Sequence, residues 1–113
     1  VLRVGGRLAF GSDTPVEPAD PFAGLAVAIS RTDENGQPFG GWRAQEVISR
    51  QEALKAYTAD AAFAGFAEGR YGRLVPGERA DFLLVDRDPF LSSPAEIRKT
   101  RVEEVWIGGQ RAR

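Results

Sequence analysis

The chain has 113 residues, 42% of them apolar and 27% charged, with a formal net charge of −1, the profile of one ordinary globular domain and not of a disordered or collagen-like chain. Near-neutral charge argues against nucleic acid as a main partner, because binding its phosphates needs a net basic face. No apolar run approaches the roughly 20 residues that span a bilayer, so neither nucleic acid nor membrane is an expected partner. The chain holds no Cys and no His, which excludes disulfides, thiolate metal sites and any Ser-His-acid triad built from its own residues. A chain without Cys suits a reducing compartment, and the expected location is cytoplasmic. The N-terminus lacks the apolar core of a signal peptide. Met is absent throughout, and the chain reads as cut from a longer protein.

In chain order, Leu8–Phe10 is a short apolar run between Gly6 and Gly11, the pattern of a strand buried on both faces. Asp13 follows at its tip, where barrel and open α/β enzymes keep their chemistry. By spacing alone, an Asp after a Gly-Ser turn is most often a turn or capping residue. Both readings of Asp13 stand at this point, and Pro15 stiffens the turn in either. Asp20-Pro21 reads as N-cap and first helical position. Phe22, Leu25, Ala26 and Ile29 then recur at helical spacing, predicting an amphipathic helix to about Arg31. Residues 32–41 form a Gly/Pro/Asn loop, and Trp42 at its end is expected to find burial. Ser49-Arg50-Gln51-Glu52 is a capping box that opens a helix to about Thr58. A second Ala-rich helix follows from about Asp60 to Phe66.

The texture changes near Gly72. Pro76-Gly77 predicts a tight turn. Phe82–Val85 is a four-residue strand flanked by Asp81 and Asp86, which are expected to cap its ends through bonds to backbone. Ser93-Pro94-Ala95-Glu96 predicts a single helical turn. Arg101–Ile107 is a longer strand that Gly108-Gly109 reverses into a hairpin. Among other candidates, Glu17, Asp20, Asp33 and Glu34 lack EF-hand spacing and are read as loop acids. The glycine pairs lack phosphate-loop spacing, and Arg98-Lys99-Thr100-Arg101 is read as a solvated face.

These residues carry a resemblance. Gly72-Arg73-Leu74-Val75-Pro76-Gly77-Glu78-Arg79-Ala80-Asp81 with Phe82–Asp86 resembles the G-x-[LI]-x-P-G-x-x-A-D signature, closed by four apolar residues and an Asp, near the C-terminus of metal-dependent amidohydrolases. Val102–Arg111 resembles the hairpin that follows it. Gly11-Ser12-Asp13-Thr14-Pro15-Val16 with Asp20-Pro21-Phe22 is similar to the last barrel strand of the family-3 branch, and Ala28–Asp33, Gly40-Gly41-Trp42 and Ala53–Thr58 are similar to other parts of that branch.

The resemblance implies an α/β fold: the C-terminal part of a (β/α)8 barrel, its last strand plus helices, over residues 1–71, followed by strands of a small β-sandwich domain over residues 72–113. It implies a parent enzyme that hydrolyses C–N bonds of a small-molecule amide or cyclic amide through water activated by a divalent metal, usually zinc. Asp13 matches the eighth-strand acid of that pattern, which contacts the metal and takes the proton of the water. The family's imidazole ligands have no counterpart here, so the segment alone is expected to hold no metal and to be inactive. Its expected partner is the missing N-terminal part of the same protein. The alternative is a non-catalytic, stand-alone α/β interaction or structural module with Asp13 as a capping residue. A homo-oligomer formed by completing strands between copies is a further outcome, since exposed sheet edges invite pairing.

Overall fold

In the computed structural model, which describes residues 1–113, helix α1 spans Pro21–Ser30. Asp20 starts it by accepting the Phe22 N–H at 2.8 Å, and Pro21 wastes no amide at the first position. Its apolar stripe buries Phe22, Leu25 and Ala26, as the spacing predicts. Helix α2 runs Arg50–Tyr57 and opens on the expected capping box: Glu52 N–H donates to Ser49 Oγ at 3.1 Å, and Ser49 N–H to Glu52 Oε2 at 2.8 Å. Helix α3 is Ala59–Ala64, strand β1 Phe82–Val85 and helix α4 Pro94–Ile97. Strands β2, Val102–Ile107, and β3, Gln110–Arg111, complete an antiparallel sheet of order β1-β2-β3. No helix is long and apolar enough to cross a membrane.

The chain divides into two compact units, Val1–Gly11 with Lys55–Asp86 and Val102–Arg113, and Ser12–Leu54 with Arg87–Arg101. In the first, β1 pairs β2 with Phe82 opposite Trp106, Leu83 opposite Val105 and Leu84 opposite Glu104. The register then slips so that Val85 faces Val102. Phe82 and Trp106 stack with ring centroids 5.6 Å apart. The Gly108-Gly109 turn has positive φ at both central residues, the geometry that matches strand twist. Asp81 fastens this turn by accepting the Gly108 N–H at 2.8 Å, so its expected role at the strand end holds. Gly72 lets the chain pass close against α3, and Ala62 and Ala67 are buried nearby in sequence.

One expected strand does not form. Leu8–Phe10 belongs to no sheet, with Leu8 and Phe10 half-buried and Ala9 exposed. Its backbone is tied at Phe10, whose N–H donates to the Ala56 carbonyl at 3.0 Å, and the Phe10 ring meets Tyr57 edge-on. The physical reason is that a strand's donors and acceptors need strands alongside, and the strands of this chain pair only with one another.

In the second unit α1 packs on α4, whose Ile97 is fully buried. A second capping box, Ser93 with Glu96, opens α4 as the sequence predicts. Arg50 reaches the Pro89 carbonyl and Arg98 the Thr32 carbonyl, each at 2.6 Å. These guanidinium bonds tie loops to helices that are distant in sequence.

Candidate functional site

Asp13 sits in the turn that leads into α1. Its backbone is left-handed, φ 52°, a region that Asp enters more readily than most residues with a Cβ. The Val16 N–H donates to the Asp13 carbonyl at 2.8 Å and the Glu17 N–H to the Ser12 carbonyl at 3.2 Å. Ser12 Oγ and Thr14 Oγ1 are 2.7 Å apart, and Thr14 Oγ1 donates to the Glu17 carbonyl at 3.3 Å. The turn is therefore closed by backbone and hydroxyl groups. None of these bonds uses the Asp13 carboxylate, which is exposed. A capping aspartate looks different, as Asp20 and Asp33 show: each carboxylate accepts N–H groups of the residues just after it.

The other acids are separate. Asp33 is consumed by the loop it stands in, accepting from Asn35 and Gln37 N–H at 2.8 Å each. No group of three or more His, Cys, Asp or Glu that could hold a metal ion comes together. The Asp81 carboxyl is held below its usual range because the Arg79 guanidinium and the Gly108 N–H both bond its charged form. That leaves it a fastening for the hairpin and not a proton carrier.

Trp42 departs from expectation. It is 58% exposed, with the Arg31 and Arg43 guanidiniums 4.8 and 4.9 Å from its ring centroid. Arg31 ends α1 in the left-handed region and donates through Nε to the Trp42 carbonyl at 3.0 Å, while the Trp42 N–H returns to the Arg31 carbonyl at 2.8 Å. Cations over the indole thus take the place of core burial. Gly41 is required beside this clamp, since a Cβ there would stand 2.4 Å from the Ser30 carbonyl.

The first unit holds a cavity of about 450 Å³ lined by Arg7, Lys55, Asp60, Phe63 and Tyr71 among others. Asp60 is buried there and paired with Lys55 Nζ at 3.4 Å, and Arg7 lies 4.0 Å over the Phe63 ring. Asp13 does not line it. Sequence reading did not find the Ser12–Thr14 bridge, the Arg31–Trp42 clamp or the buried Asp60. A signal existed for the first in the hydroxyls flanking Asp13. The other two depend on contacts that spacing does not encode.

A model of the amidohydrolase family matches residues 1–113. YtcJ of Bacillus subtilis is 33% identical over 110 residues, which are 97% of this chain and 21% of YtcJ. The N-substituted formamide deformylase of Arthrobacter pascens is 29% identical over 109 residues, 96% of this chain and 20% of that enzyme. The solved structure of an amidohydrolase from Thermotoga maritima superimposes with a TM-score of 0.65 at 25% identity, covering 99% of this chain and 24% of that one. The chain thus spans about a fifth of the length of the curated relatives it matches. Matched by the family model from its first residue to its last, and similar to an amidohydrolase structure over nearly all of its length, the chain belongs to the amidohydrolase family, in its family-3 branch.

Proposed function

We propose that this chain is the C-terminal segment of a metal-dependent hydrolase that cleaves C–N bonds of amide or cyclic amide type, and that Asp13 is its catalytic contribution. One observation carries the reading: on a chain matched end to end by the family, the Asp13 carboxylate stands exposed at the tip of its turn with no bond to that turn. In this role Asp13 accepts a proton from the attacking water. The hydroxide so formed adds to the carbonyl carbon, the C–N bond breaks, and the nitrogen leaves with a proton.

The residues present do not fit a zinc site by themselves. A catalytic zinc takes about three protein ligands, and the chain has no His, no Cys and no cluster of acids. Zinc, the small-molecule substrate and the remaining ligands therefore belong to the rest of the protein in this proposal, and the isolated segment is inactive. Residues 1–71 supply the last strand and helices of a (β/α)8 barrel, and residues 72–113 the closing strands of a small β-sandwich. Two features support a larger frame: Leu8–Phe10 joins no sheet, and Leu83 and Leu84, on opposite faces of the sheet, are both nearly half exposed.

The test is Asp13→Asn in the full-length protein. The expected result is a fall in kcat of at least about 10²-fold with an unchanged circular dichroism spectrum. Wild-type turnover in that variant overturns the proposal.

A further inference from the structure

The turn around Asp13 is crossed by a chain of side-chain hydrogen bonds. Thr14 Oγ1 is bonded to the Glu17 carbonyl, and a carbonyl can only accept. Thr14 Oγ1 also meets Ser12 Oγ at 2.7 Å, a contact in which either hydroxyl can donate. The result is a chain that links the Ser12 hydroxyl, the Thr14 hydroxyl and the Glu17 carbonyl, and its two hydroxyls belong to the residues on either side of Asp13. Asp13 itself is held in the left-handed region between them.

We propose that Ser12 and Thr14 are positioning residues, which act on the reaction only through Asp13. The inference rests on the proposed role of Asp13 as proton acceptor. Backbone bonds from Val16 and Glu17 close the turn without the hydroxyls, so the turn survives their loss. What the hydroxyl chain adds is a side-chain tie between residues 12, 14 and 17 that narrows the motion of residue 13. An exposed carboxylate with no bond of its own has no other restraint on its direction than the backbone that carries it. Misplacing a reacting group by about 1 Å costs about 10²-fold in rate, so a restraint of this kind is read in kcat.

The experiment uses the full-length enzyme and four variants. Thr14→Val keeps the shape and removes the hydroxyl, Thr14→Ser keeps the hydroxyl, Ser12→Ala removes its partner hydroxyl, and Asp13→Asn controls the underlying role. Thr14→Val is expected to lower kcat about 10- to 100-fold while KM stays within about twofold and the melting temperature holds. Ser12→Ala is expected to lower kcat less, and Thr14→Ser to restore most of it. Wild-type kcat in Thr14→Val, with Asp13→Asn inactive, overturns the positioning role and leaves the role of Asp13 standing. A loss in Thr14→Val that tracks a lowered melting temperature and is not rescued by Thr14→Ser also overturns it. Wild-type activity in Asp13→Asn removes the foundation of both.

Discussion

Gly72 sits at φ 103°, and a Cβ there would stand 2.9 Å from the Ala62 methyl and 3.1 Å from the Thr58 carbonyl. Both the backbone region and the space exclude a side chain. Gly72→Ala is expected to destabilise the protein by about 1–3 kcal/mol, measured as a lower urea midpoint with unchanged slope. Thr100 presents the opposite case. It is buried and its hydroxyl has no partner, a net cost to the fold. Thr100→Val keeps the shape and removes the orphan group, and a gain of about 1 kcal/mol in the same assay is expected. A loss of stability would mean that the hydroxyl is satisfied in the folded protein. Asp13 belongs to this scale too: its neighbours in sequence were legible, but whether its carboxylate capped the turn was not. Spacing made Asp20 an N-cap and left two readings of Asp13, and only the bonds show that the Asp13 carboxylate does not cap its turn.

The helices and the hairpin were the most legible elements, because their signals are local. Asp20-Pro21, Ser49 with Glu52, Ser93 with Glu96 and Gly108-Gly109 each fix an end or a reversal through residues within a few positions of one another. Ser49→Ala removes the α2 cap and should cost about 1 kcal/mol. The same devices set a pH response. The Ser49 N–H and hydroxyl hold Glu52 below its usual range, those of Ser93 do so for Glu96, and Arg79 with the Gly108 N–H does so for Asp81. A folded-state pKa below the unfolded one gives stability that is present above the unfolded value, about 4. That stability is lost as pH falls through the folded value. The melting temperature should therefore hold from neutral pH to about 5 and decline below about 4. A flat profile down to pH 3 would contradict the assignment. Leu8–Phe10 was the element misread, since an apolar run between glycines states a preference for a sheet but cannot provide the neighbouring strands.

For the whole molecule, exposed apolar side chains mark where this chain is incomplete as a packing unit. Phe66 is 91% exposed, and Leu83 and Leu84 are 45% and 46% exposed on β1, an edge strand. Strands with an apolar free edge invite pairing. Calorimetric titration of the 113-residue chain with zinc is expected to show no tight stoichiometric site, because no three ligating side chains converge. Tight binding lost in Asp13→Asn would overturn that expectation. The sequence by itself determined the helix caps, the hairpin and the family, since each rests on residues close in sequence or on a motif in fixed order. Only the tertiary structure decided that Trp42 meets two guanidiniums and that Leu8–Phe10 has no sheet to join. It also decided that the Asp13 carboxylate is left free while Ser12 and Thr14 close its turn. These outcomes depend on which groups meet in space and satisfy one another's hydrogen bonds and charges, and residue order does not carry that information.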